Sequence, residues 1–204
     1  MPQQQRAREK HDRILDAADA LLARDGAETL TTTRIAATAG VAVGSVYAYF
    51  ADKESIAEAL ALRHWQRFAD LVAATAEAEE TNPAADPLGA VIETLAAGFR
   101  GEPSFRALWY GGLRTEQVRT ATRPMREQVA GALRRVLAVH WPGAPAERLD
   151  VAARMIVLVG DGVLREAFRI DPDGDPTLLR EGRTMMAAYA AQTLGASASE
   201  AERG

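Results

Sequence analysis

TTTRIAATAGVAVGSVYAYFADK, residues 31–53, is the stretch whose reading decides the fold. Ile35, Ala36 and Ala39 recur at helical spacing, and Gly40 then breaks the pattern. Glycine reaches positive φ without a steric penalty, so it can end a helix and reverse the chain. Val41 follows as an apolar plug. A second short helix carries Val46 and Phe50 one turn apart on one face. Its other face shows Ser45, Tyr47, Ala48 and Tyr49. A short helix that turns small and hydroxyl-bearing side chains to water suits a DNA major groove. The spacing predicts a helix–turn–helix.

The same residues resemble the DNA-binding segment of the TetR (tetracycline-repressor) family of transcriptional regulators. The family pattern, T-x-R-x-I-A-x-x-A-G-V-S-x-G-x-x-Y-x-Y-F-x-x-K, is met in register by Thr31, Ile35, Ala36, Ala39, Gly40, Val41, Gly44, Tyr47, Tyr49, Phe50 and Lys53. The likeness covers residues 10–60; beyond them the chain fits the family in length and helical character. It implies an all-α fold with an N-terminal helix–turn–helix domain over residues 1–54. A helical ligand-binding and dimerisation domain would fill residues 55–204. It further implies a homodimer on palindromic double-stranded operator DNA, most often a repressor, released by a small hydrophobic or amphipathic inducer.

Composition is compatible with this and does not select it. Of 204 residues, 48% are hydrophobic, enough for a sizeable core. No run of eighteen apolar residues offers a membrane span, and the N-terminus MPQQQRAREKHDR has no apolar signal region. A cytoplasmic protein without a membrane association is expected. The net charge of −4 argues against nucleic acid, and residues 1–54 hold seven Lys and Arg against eight Asp and Glu. The cations are local: Arg6, Arg8, Lys10 and Arg13 at the front, Lys53 after the recognition helix. The DNA reading therefore rests on the motif.

Working outward, a first helix runs from about Arg6 to Arg24 with Ile14, Leu15, Ala18, Leu21 and Leu22 as its stripe, and residues 1–5 read as disordered. A long helix from Asp52 to about Ala78 follows the motif. Further helices read over residues 88–100, 105–113, 115–140, 146–170 and 177–194, about nine in all, with the tail GASASEAERG frayed. Pro124 must kink the helix over 115–140 or mark its true start. Small and apolar residues on the last two helices (Val151, Met155, Val159, Val163, Ala167, Met185) suit a dimer face.

By the resemblance, the DNA contacts fall on Thr32, Thr33, Val43, Gly44, Ser45, Tyr47, Tyr49 and Lys53. Hydroxyls at a helix start join free backbone N–H groups in holding phosphate. Gly44 lets the backbone approach the groove, and Lys53 neutralises a phosphate. Tyr47 and Tyr49 either reach phosphates or pack beneath the recognition helix. This sequence also departs from the pattern. Thr33 stands where the family has arginine, which comes one place later as Arg34. Ala42 stands where serine is frequent, and losing that cap costs about 1 kcal/mol. Val43 and Ala48 make the surface apolar, suited to thymine methyl groups, and Arg34 becomes the nearest candidate for guanine.

A second constellation is aromatic. Trp65, Phe68, Phe99, Phe105, Trp109 and Tyr110 crowd residues 65–110, with Met125 and Gln128 just beyond and His64, Arg106 and Arg114 as polar neighbours. Each ring taken singly reads as core; together they read as a ligand pocket. The histidines His11, His64 and His140 show no metal-ligand spacing, and no P-loop, H-E-x-x-H or G-x-S-x-G motif occurs. Neither a cofactor nor a metal nor an enzymatic activity is expected. The rival reading is a helical dimer that binds a small molecule without binding an operator.

Overall fold

A computed structural model describes residues 2–110 and 116–201, with the side chains of residues 2, 3, 109 and 196–201 outside that description. The described residues form ten α-helices and a short 3₁₀ turn, with no strand among them. In chain order these are α1 (Pro2–Asp25), the turn Ala27–Thr29, α2 (Thr32–Ala39), α3 (Val43–Tyr47), α4 (Lys53–Thr81) and α5 (Pro87–Gly101). Then follow α6 (Pro103–Tyr110), α7 (Glu116–Ala121), α8 (Arg123–His140), α9 (Ala146–Ile170) and α10 (Pro176–Ala201).

Helix ends follow local chemistry. At the end of α2, Gly40 takes φ 65° and ψ 39°. Its N–H reaches Ala37 O and the Val41 N–H reaches Ala36 O, at 3.3 and 3.0 Å. That pair of bonds is the Schellman motif. The Thr31 hydroxyl accepts from the Arg34 N–H and caps the other end. Asp52 and Ser55 exchange side-chain-to-backbone bonds at 2.7 and 3.2 Å, a reciprocal cap that starts α4.

Three boundaries differ from expectation. α1 begins at Pro2 and so takes in residues expected to be disordered, because proline is well suited to a first helical position. The helix expected over 115–140 is two, and Pro124 is the second residue of α8, where its missing N–H costs no helical bond. α10 runs to Ala201, since the alanine- and serine-rich tail contains no breaker stronger than Gly195.

The chain divides into two compact units, residues 1–64 with 102–122, and residues 65–101 with 123–204. The boundary falls inside α4, between His64 and Trp65. In the first unit the stripe of α1 packs with Ile35, Ala36, Val46, Phe50, Ile56, Ala57, Leu60 and Leu108 into one buried core. In the second, α9 packs on α8 and α10, and α5 packs on both α9 and α10. Phe99 lies 5.2 Å from both Phe68 and Phe168, centroid to centroid. Gly98 makes room for this stack: a Cβ there would stand 2.7 Å from Phe68 Cε1.

Candidate nucleic-acid interface and effector cavity

The recognition surface is built by α2, α3 and the start of α4. Val46 is fully buried beneath α3 and Phe50 nearly so, which turns Val43, Gly44 and Tyr47 outward. Tyr47 is 54% exposed, and its hydroxyl lies 3.1 Å from that of Thr32. The two hydroxyls sit side by side at the start of α2, where backbone N–H groups are free to meet an anion. Thr33 and Lys53 are exposed. Ala42 gives α3 no side-chain cap, and the Ser45 N–H bonds the Ala42 carbonyl at 2.8 Å instead.

Two residues differ in character from the rest of the DNA set. Tyr49 is half-buried, packs against the core of its unit and meets His11 edge-on at 6.2 Å. Arg34 forms an ion pair with Asp25 and donates to the Thr29 carbonyl at 2.9 Å. It thereby braces the turn between α1 and α2. Hydrogen bonds from Arg24 first, then from Arg34, hold the Asp25 carboxyl down at about 2. Lys10, read from the sequence only as one of the basic residues at the front of α1, reaches the recognition surface: it donates from Nζ to Ser45 Oγ at 3.2 Å. The two lie thirty-five positions apart, so no local pattern could have paired them.

The aromatic set is divided. His64, Phe105 and Tyr110 belong to the first unit, while Trp65, Phe68, Phe99, Met125 and Gln128 belong to the second. His64 and Phe105 are buried together, their rings 5.4 Å apart. Phe68 and Phe99 are buried in the stack with Phe168, which sequence reasoning did not include. The Trp109 side chain and Arg114 lie outside the described residues. The second unit also holds a cavity of about 560 Å³ lined by Trp65, Arg123, Arg126, Gly131, Asp150, Arg154, Leu158 and Asp161, among others. Of the nine ligand candidates, Trp65 alone lines it among the described residues. The Arg126 guanidinium stands 4.9 Å from the Trp65 ring, and its Nε is buried without a hydrogen-bond partner. A volume of a few hundred Å³ with one aromatic wall and converging charges matches small-molecule sites.

Two family models match this chain. "Bacterial regulatory proteins, tetR family" covers residues 14–60, and "Tetracyclin repressor-like, C-terminal domain" covers residues 83–189. The chain belongs to the TetR family of transcriptional regulators. This TetR-family chain is also similar to an uncharacterized HTH-type transcriptional regulator of Haemophilus influenzae. The two are 33% identical over 72 residues, 35% of this chain and 37% of that relative's length. Among solved structures, a TetR-family transcriptional regulator from Streptomyces coelicolor is 28% identical with a TM-score of 0.61, over 91% of this chain and 99% of its own. The multidrug binding protein EbrR complexed with ethidium is 27% identical with a TM-score of 0.61, over 87% and 98%. Among the described residues, no helix is long and apolar enough to cross a membrane.

Proposed function

We propose that the protein is a cytoplasmic homodimeric repressor that holds a palindromic operator and releases it when a small hydrophobic or amphipathic effector binds. Residues 1–54 carry the DNA contacts, and residues 55–204 the effector site and the dimer face. The observation that carries the reading is the outward face of α3, with Val43, Gly44 and Tyr47 exposed over a buried Val46 and Lys53 free at the start of α4. Thr32 and Tyr47 hold one phosphate together, Thr33 and Lys53 hold others, and Val43 meets base edges. Ser45 contributes to this surface as the acceptor for Lys10.

Phosphate contacts act on every sequence alike, whereas apolar base contacts select. Lys53→Ala is therefore expected to weaken binding about equally on operator and random DNA, and to reduce the salt slope by about 0.9. Val43→Ala is expected to shift sequence preference at an unchanged slope. A salt titration by fluorescence anisotropy reads both. Equal slopes for wild type and Lys53→Ala would remove Lys53 from the interface.

The effector site is the cavity beside Trp65, with the Phe68 and Phe99 stack as its apolar neighbour within the same unit. EbrR binding ethidium supports a flat, amphipathic effector. Arg126 offers it a donor, since its buried Nε lacks a partner. α4 is a single helix of 29 residues, about 43 Å long, which begins next to the recognition helix and carries Trp65. A helix packed along its length moves as a rigid body, so an effector at Trp65 shifts α3 through it. The two recognition helices of a dimer must stay about 34–36 Å apart to enter successive grooves. A hundredfold loss of affinity needs only about 2.7 kcal/mol of coupling. With ethidium as the probe, the ligand-induced tryptophan signal is expected to vanish in Trp65→Phe and persist in Trp141→Phe. The reverse pattern would move the effector site elsewhere.

A further inference from the structure

We propose that the effector is a monoanion, a flat aromatic carboxylate whose charged end pairs with Arg126. The proposal rests on reading the cavity beside Trp65 as the effector site, and it adds the chemical class that the cavity selects. Every residue concerned lies in the second unit, on α4, α8 and α9. The Arg126 guanidinium stands over the Trp65 ring, 4.9 Å from its centroid. Its Nε is buried, and among the described residues Arg126 makes no hydrogen bond and no ion pair. A guanidinium carries five N–H donors, no acceptor and a permanent positive charge. Burying one of those donors away from any acceptor gives up its hydration for nothing in return. No shift of protons relieves this, since arginine does not deprotonate. The group that relieves it is an acceptor, and a charged acceptor does so best.

The rest of the wall agrees on the sign of the charge. Asp150 is held at 2.7 Å by Arg134, which comes from outside the wall. Glu127 faces Arg123 at 3.9 Å. The remaining acid, Asp161, pairs with neither Arg126 nor Arg154. With Arg134 included, the wall sets four guanidiniums against three carboxylates and keeps one positive charge over. One surplus charge suits a monoanion. A phosphate monoester carries about −1.5 to −2 at neutral pH and would turn negative charge toward Glu127 and Asp161. The donor edge also favours a carboxylate. Nε–H and one Nη–H of a guanidinium point the same way, and two carboxylate oxygens meet them as a pair of parallel bonds. Stacking on Trp65 fixes the plane of that fork before the ligand arrives. Trp65, Ala130, Ala153, Val157 and Leu158 supply apolar wall for the remainder of the molecule. A cavity of about 560 Å³ holds a fused two-ring acid.

The test titrates the full chain by calorimetry with 2-naphthoate, with its neutral isostere 2-naphthamide, and with ethidium. Naphthoate is expected to bind once per chain, and about tenfold or more tightly than the amide. Arg126→Gln should erase that preference. Arg126→Lys, which keeps the charge but not the fork, should keep only part of it. Ethidium, a flat cation, should bind Arg126→Gln at least as tightly as wild type, because the variant removes a like charge. Equal affinity of the wild type for naphthoate and naphthamide would overturn the proposal, and that comparison needs no variant to fold. A preference for naphthoate that survives Arg126→Gln would also overturn it, since the charge would then be read elsewhere. If the wild type binds ethidium but not naphthoate, the cavity stands as the effector site and the anion is overturned. If it binds none of the three, the effector reading of the cavity falls, and the proposal with it.

Discussion

A chain carrying Leu158→Glu and Met185→Glu is expected to sediment as a monomer and to lose operator affinity by a factor of a hundred or more, with its helical content unchanged. Val151, Met155 and Leu158 are 49%, 41% and 67% exposed along α9, and Met185 is 52% exposed on α10. Spaced four and three apart, the first three form one stripe, and such a stripe is a surface waiting for cover. In a two-fold interface each residue occurs twice, so two substitutions bury four carboxylates. Stripping water from each costs several kcal/mol when no cation faces it. A monomer offers DNA one half-site, and the loss of the second removes the effective-concentration gain of about 10²–10⁴. Sedimentation velocity at micromolar concentration and anisotropy on an inverted-repeat duplex read the two effects. A double variant that remains dimeric would move the interface away from this face.

The second large effect concerns the aromatic stack. Phe99→Ala is expected to destabilise the chain by about 3–5 kcal/mol, the range for emptying a phenylalanine site in a packed core. Phe99 is 4% exposed and touches two other rings, and Gly98 leaves no slack for collapse around it. Against a total stability of about 5–15 kcal/mol, that is a large share. It should lower Tm by roughly 10 °C in a thermal melt followed by circular dichroism. Leu158→Ala, at an exposed site, should change it little. A loss below about 1 kcal/mol for Phe99→Ala would mean that the ring lines an open pocket rather than filling a core.

The helix–turn–helix was legible because its determinants are local. The caps at Thr31 and Gly40, the apolar spacing of Ile35 and Ala36, and the buried Val46 and Phe50 all act within one or two turns. Pro124 marked either a kink or a helix start in the sequence, and the structure takes the second, since proline's missing N–H costs nothing in a first turn. Local reading was less useful at the effector region. Trp65, Phe68 and Phe105 look alike in sequence, yet Phe105 packs on His64 in one unit and Phe68 on Phe99 in the other. Val163 looked like dimer surface, but it packs over Gly182 within its own chain, where a Cβ would meet it at 2.6 Å. Ala167 is fully buried for a similar reason.

By itself, then, the sequence determined the all-helical class, the recognition motif and the family to which the chain belongs. Each depends on contacts between residues a few positions apart, and periodicity records those. Tertiary structure alone decided that Lys10 lies against Ser45, that Arg34 braces the turn before α2, and that Trp65 lines the 560 Å³ cavity while Phe99 stacks with Phe68 and Phe168. The physical reason is common to all of these: a helical repeat specifies which face of a helix is apolar, but the partner that face meets is set by packing between helices distant in sequence.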